Sequence, residues 1–249
     1  MLQVLRKTKG ISVGLISTSR RVPSTFVDCA PSGSASHRIL GRPASYDQSY
    51  VYTGRVMWVD SRGRLYFTAS NAESPSVYGH VFYYDPETGF GERKDWLLQG
   101  AHVLEVGQCL AKERQCIFSD DKGHVYRFDE HGPSWSYLGQ IETGQQGTYI
   151  WLFHVTGDAS KVYTATSTSP QRSDFTSLYE FDLRTGKTQR LCTLAELDPA
   201  LRDLHVHTGY DACDPLGRFY FASFNGQPNQ PVVLTRVDPT RLKAALNKP

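Results

Sequence analysis

What this sequence lacks narrows its identity first. No stretch approaches the roughly 20 apolar residues that cross a bilayer as a helix, so no membrane span is expected. The opening segment MLQVLRKTKGISVGLISTSRRVPS has one short apolar run, ISVGLIS, with no A-x-A-type cleavage site behind it. It is also Arg- and Ser-rich, as transit peptides are, and neither targeting reading is preferred. A strong excess of one charge is missing too. Lys and Arg number 27 against 25 Asp and Glu, a net charge of +2, which argues against a dedicated nucleic-acid binder. The balance is uneven, since residues 1–50 hold seven basic side chains against Asp28 and Asp47, leaving the remainder mildly acidic. The five cysteines form no C-x-x-C pair and no zinc-ligand spacing. An odd number gives no disulfide framework, which favours a reducing setting such as the cytoplasm. Cys109 and Cys116, which flank the turn AKER, are therefore expected to be free buried thiols. No G-x-S-x-G elbow, P-loop or dinucleotide fingerprint occurs, which disfavours those chemistries.

What is present points to β-structure. Hydrophobic residues make up 39% and aromatics 12% of 249 residues, enough for one large all-β domain or two small ones. An internal repeat appears when VMWVDSRGRLYFTASN (56–71) is set under YDACDPLGRFYFASFN (210–225). Asp60, Gly63 and Arg64 match Asp214, Gly217 and Arg218, and Tyr66, Phe67 and Asn71 match Tyr220, Phe221 and Asn225. Each copy reads as two short strands joined by a tight turn, the glycine supplying a positive φ. A weaker copy, FHVTGDASKVYTATSTS, puts Tyr163 in the Tyr66 position. A second element follows each hairpin: YGHVFYYDPETG, KGHVYRFDEHG, SLYEFDLRTGK and VVLTRVDPT, alternating strands that end at Asp85, Asp129, Asp182 and Asp238. Their spacings of 44, 53 and 56 residues and the period-2 alternation exclude a helical solenoid.

A four-stranded antiparallel unit repeated at this interval is the signature of a β-propeller blade. The expected fold is an all-β β-propeller with four recognisable four-stranded blades, at about 51–100, 101–143, 147–198 and 202–249. Within the first, the strands are expected near 55–60, 65–70, 80–85 and 92–98. The fourth strand of the last blade is not evident, because TRLKAALNKP reads as helical. Residues 1–50 form either an arm that completes the ring, with LQVLRKT as the closing strand, or a degenerate fifth blade. Within this frame YYDPETG, FDLRTGK and D-x-x-G-R-x-Y-F resemble blades of the gluconolactonase/SMP-30, NHL and quinoprotein-type propellers. The resemblance covers most of residues 51–240 and implies a fold and a site location. It carries no residue-by-residue match to the metal-binding set of the gluconolactonase family.

In such propellers the loops from second to third strand and the starts of the innermost strands meet on one face. Here those loops are NAESPSVYGH, DDKGH, TSPQRSDFTS and NGQPNQP, which are long or polar, and polar loops on a rigid scaffold are where sites concentrate. Six of the eight histidines are expected on or near that face: His80, His102, His124, His154, His205 and His207. Histidine suits acid–base work near neutral pH. The candidate catalytic set is His205, His207, Tyr210 and Asp211, in HVHTGYD, where the repeat pattern is broken. Strict alternation would place His205, His207 and Asp211 on one strand face. His80, His102, His124, Arg172 and Tyr149 are candidate ligand contacts, for a small molecule or sugar. Each has a bland rival. His80 and His124 recur in Gly-His-Val, so repetition alone accounts for them. His205 and His207 need further ligands before they hold a divalent metal, and the spacing shows none. Asp214 recurs as Asp60 before a turn and reads as a capping residue. Trp58 and Trp151 read as packing. Two function classes follow: a lyase or lactone/ester hydrolase with His/Tyr acid–base groups, or a non-catalytic ligand- or protein-binding propeller. The cofactor is left open: a divalent metal is compatible with these residues, though no ligand spacing indicates one.

Overall fold

Three turns of this chain share one heptapeptide pattern, D-x-x-G-[RH]-x-Y, and the pattern folds the same way each time. In DSRGRLY the Asp60 carboxylate accepts backbone N–H bonds from Arg62 and Arg64 (2.9 and 3.0 Å), the Arg64 Nε–H bond (2.7 Å) and the Tyr66 hydroxyl (3.1 Å). Asp214 gathers Leu216, Arg218 and Tyr220 in the same way, and Asp120 gathers Lys122, His124 and Tyr126. The glycine of each turn has φ between 74° and 83°, a region closed to most other residues. One short side chain thus satisfies donors that a tight turn would otherwise bury unpaired. At Asp214 desolvation pushes the carboxyl up, but the Tyr220 and Arg218 hydrogen bonds outweigh it and hold the pKa down at about 2.

The computed structural model describes residues 12–16, 25–29, 37–41, 52–70, 79–141, 148–168, 176–202, 204–208, 213–224 and 232–246. The chain divides into two compact units, residues 1–103 and 104–249. The first unit holds two antiparallel meanders. One is three-stranded: β1 (Ser12–Ile16), β2 (Thr25–Cys29) and β3 (His37–Gly41). The other is four-stranded: β4 (Tyr52–Val59), β5 (Leu65–Ser70), β6 (His80–Asp85) and β7 (Gly89–Glu92). The expected fourth strand at 92–98 therefore lies earlier. After β7 the chain turns, and Trp96 inserts against Tyr66, ring centroids 5.3 Å apart, while Tyr66 stacks on Trp58 at 5.4 Å. Trp58 is buried packing, as its repeat position suggests.

The second unit holds two four-stranded meanders, β8 (Leu104–Leu110) to β11 (Ser134–Gln140) and β12 (Thr148–Val155) to β15 (Lys187–Thr193). Between their ends lie β9 (Gln115–Asp120), β10 (His124–Asp129), β13 (Lys161–Thr168) and β14 (Ser177–Asp182). A third meander has three strands, β16 (His205–Thr208), β17 (Phe219–Phe224) and β18 (Val233–Val237). Two helices complete the unit, α1 (Leu194–Leu197) and α2 (Pro239–Leu246). The helical reading of the C-terminal segment thus matches α2. Capping explains where the helices begin: Thr193 and Glu196 form a capping box on α1, and Asp238 accepts the N–H groups of Thr240 and Arg241 at the start of α2. The segment LQVLRKT lies outside the described residues. Among the described residues no helix is long and apolar enough to cross a membrane.

Two cores join the three sheets of the second unit. Ile117, Val125, Phe153, Val162 and Phe181 fill the space between β8–β11 and β12–β15. Leu152, Ala165, Leu178, Phe219, Phe221 and Leu242 fill the next. Polar clamps add direction. The Val155 N–H donates to Gln108 Oε1 across the first interface at 2.7 Å. At the second, the buried Glu180 accepts from Lys161 and, on α2, from Lys243 at 2.5 Å. Burial pushes the Glu180 carboxyl up, but the bonds from Lys161, Lys243 and Tyr163 leave it below its ordinary value.

Cysteine chemistry departs from the expectation. Cys109 and Cys116 form a disulfide rather than two free thiols. They stand directly opposite each other in the β8–β9 register, and an odd total does not prevent one pair from meeting across a hairpin. His154 departs as well. It sits at the far end of β12, paired with Tyr163 beside the turn into β13. It is buried, its ring lies 5.4 Å from Phe219, and its Nδ1 has no hydrogen-bond partner.

Two measurements follow. Closing so short a loop constrains the unfolded chain by about 2.5 kcal/mol. Reduction is expected to lower the denaturation midpoint accordingly, and alkylation of the unfolded chain should spare Cys109 and Cys116 until reductant is added. Burial lowers the His154 pKa from 6.5, so the unfolded state binds the proton more readily. Its contribution to stability is intact above about pH 6.5 and is lost as pH falls below that value. His154→Phe is expected to flatten that part of the stability–pH curve, read by denaturant unfolding. An unchanged slope would assign it to other groups.

Candidate functional site at the loop end of the blades

In each meander the start of the first strand, the end of the second and the start of the third lie at one end. At that end β4, β8, β12 and β16, the first strands of four meanders, each carry a β-bulge at the same level, whereas β1 pairs with β2 without a shift. In the second unit Leu104 and Val106 pair with Asp120 and Ser119, leaving Glu105 extra. Ile150 and Leu152 pair with Thr166 and Ala165, leaving Trp151 extra. Val206 and Thr208 pair with Ser223 and Ala222, leaving His207 extra. In the first unit the shift between Thr53 and Met57 takes in three residues, Gly54 to Val56. The four bulges stand level with the second residue of the third strand, Val81, Val125, Leu178 or Leu234. In the second unit β12 lies against both β8 and β16, so Glu105, Trp151 and His207 occupy equivalent places on three neighbouring strands. Bulges re-aim the extra residue and are enriched beside sites.

The bulge also changes the reading of HVHTGYD. Backbone alternation does not run unbroken through His207, so a strict period of two does not relate His205 to Asp211. Tyr210, Asp211 and Arg172 lie outside the described residues. For His205, His207 and Tyr149 the backbone alone is described: they stand in β16 and at the start of β12.

The remaining candidates are described in full. His80 opens β6 and His124 opens β10, the same place in two blades. Each holds its Nδ1 against a carboxylate, His80 on Glu92 at 2.6 Å and His124 on Asp120 at 2.8 Å. An ionised carboxylate only accepts, so Nδ1 carries the proton in both rings. The two differ in access. The His80 side chain is 40% exposed and that of His124 only 12%. His124 fills the place that arginine holds in the other two heptapeptides, which makes it a member of the turn. His102 is brought close to His80 along the chain: Gly79 donates its N–H to the Ala101 carbonyl at 2.8 Å, and a Cβ on Gly79 would lie 1.8 Å from the His102 carbonyl oxygen. Only glycine fits there. Among the described residues no group of three His, Cys, Asp or Glu side chains is placed to hold a metal ion.

Neither the bulge at Glu105 nor its equivalence with Trp151 and His207 was legible from the sequence. The one available signal is that the second strands align without a gap while the first strands do not.

No protein-family model matches this chain, and no curated protein matches it. Solved structures do. A prolyl endopeptidase superposes with a TM-score of 0.56 at 13% identity, over 96% of this chain and 34% of that one. The extracellular domain of a one-component system from B. thetaiotaomicron gives 0.53 at 9%, over 96% and 28%. The β-propeller domain of a Myceliophteria thermophila protein gives 0.50 at 10%, over 74% and 57%. This chain therefore spans between about a quarter and three fifths of the proteins it resembles. At such identities the likeness speaks for the fold alone, an all-β propeller.

The role of His124 is open to a direct test. Replacing it with Ala leaves the buried Asp120 short of one partner and is expected to cost about 1–3 kcal/mol. His124→Arg, which restores the pattern at residues 64 and 218, is expected to keep most of that stability. Thermal unfolding of both variants decides it; equal losses would mean that the imidazole itself is required.

Proposed function

We propose that this propeller binds a small polar ligand, of the sugar-acid or lactone class, at the loop end of its blades, and that His207 and His205 serve there as acid–base groups. The observation that carries the proposal is the level row of bulges, which puts His207 in register with Glu105 and Trp151 on neighbouring innermost strands. A polar acid, an aromatic surface and an imidazole are the side-chain types from which sugar sites are built, since rings stack on indoles and hydroxyls bond to carboxylates. In this reading Tyr210 and Asp211 support the histidines, and Arg172, Tyr149 and His124 border the ligand. The reaction class is elimination or hydrolysis, in which a proton is moved at a carbon or oxygen next to a carboxyl or lactone. The second reading is a non-catalytic binding propeller. It keeps the same ligand contacts and needs no proton transfer.

A screen of uronic acids and lactones by thermal shift, followed by turnover assays, tests both. His207→Ala is expected to leave the melting temperature nearly unchanged and to reduce turnover by about 10²–10⁴-fold. Ligand binding that survives with no turnover in the wild type selects the second reading. An unfolded His207→Ala protein whose folded fraction stays fully active would make the histidine scaffold.

A further inference from the structure

At the other end of the last blade, where the Asp214 turn and α2 lie, the surface changes character. A groove of about 630 Å³ opens there between the end of α1, the turn, β18 and α2. Its apolar lining includes Leu197, Leu216, Val237, Leu242 and Ala245. Leu216, at the tip of the turn, is 75% exposed. Of the large hydrophobic side chains exposed among the described residues, Leu197 and Leu216 line this groove. Exposed leucines beside an apolar groove mark an interaction surface, whereas scattered ones do not.

The charges on the groove have one dominant sign. Arg218, Arg236 and Arg241 line it against a single acid, Asp238. Arg218 is committed to Asp214 at 2.6 Å. The Arg241 side chain is 88% exposed and only loosely paired with Asp238, at 3.7 Å. Arg236 is exposed and has no ion-pair partner among the described residues. An apolar floor with a basic rim complements an amphipathic segment with apolar residues on one face and acids beside them.

We propose that this groove docks an acidic amphipathic helix of a partner protein, with its apolar anchors on Leu197, Leu216 and Leu242 and its carboxylates on Arg236 and Arg241. The groove is bounded by α2 and β18, and an apolar groove with charged edges is the kind of surface that takes an amphipathic helix. This surface does not rest on the ligand site, which lies at the opposite end of the strands.

The test uses the full chain and two fluorescent peptides of about 14 residues, roughly four helical turns. Both carry leucine at helical spacing; one has glutamate elsewhere and the other lysine. Fluorescence anisotropy is expected to show saturable binding of the glutamate peptide that weakens as salt is added, and none of the lysine peptide. Leu216→Glu and Arg236→Glu, both at exposed positions, are each expected to weaken binding at least about tenfold, or 1.4 kcal/mol, with the melting temperature unchanged. Equal binding of both peptides, binding of neither, or variants that bind like the wild type would overturn the proposal. Concentration-dependent dimerisation in sedimentation, abolished by Leu216→Glu, would overturn it in favour of a second copy of the chain.

Discussion

A carboxylate that accepts four hydrogen bonds from a turn of seven residues is the interaction on which three hairpins of this protein rely. Asp60, Asp120 and Asp214 each take two backbone N–H groups, one side-chain donor of Arg or His, and one tyrosine hydroxyl. The tyrosine ties the turn to the adjoining strand, and that strand then aligns its neighbours. Because the partners all lie within six residues of the aspartate, the hub does not depend on the blade around it. This is why it works at either end of a blade, between first and second strands at Asp60 and Asp214 and between second and third at Asp120. It also explains why histidine stands in for arginine only at the loop end, where a smaller donor keeps the same bond to the carboxylate.

Much of this was legible in the sequence, because hubs and alternation leave local marks. The offset repeat at Asp60 and Asp214 carried the hairpins, and the Asp-ended strands carried β6, β10, β14 and β18. The third hub was hidden because DDKGHVY sits where a site loop was expected, so His124 read as a ligand contact before it read as a turn residue. The bulges were hidden for a different reason. One extra residue in a strand has no composition of its own; it shows only when two strands are paired. The disulfide was hidden because counting cysteines says nothing about which face each other. The apolar groove draws Leu197, Leu216 and Leu242 from separate elements, and no window of sequence holds all three.

Loop end and turn end thus divide the work of the blade. At the loop end the scaffold is constant and the bulged residue varies, as glutamate, tryptophan and histidine on successive strands. At the turn end the Asp60 and Asp214 turns share one pattern, while β8–β9 and β12–β13 are joined by the unrelated AKER and TGDAS.

Where β11 meets the turn after β14, the two neighbouring sheets touch backbone to backbone. Gly139 and Gly186 both have positive φ, and a Cβ on Gly186 would lie 2.5 Å from the Leu138 carbonyl oxygen. The rim of the two sheets has no spare thickness at that point. Any side chain there acts as a wedge at the outer edge, with the core between the sheets as its fulcrum. To admit it, the Leu138–Gly139 backbone and the turn at Gly186 would have to move apart. Two glycines with no side chain to offer thus set how closely these two sheets approach at that edge.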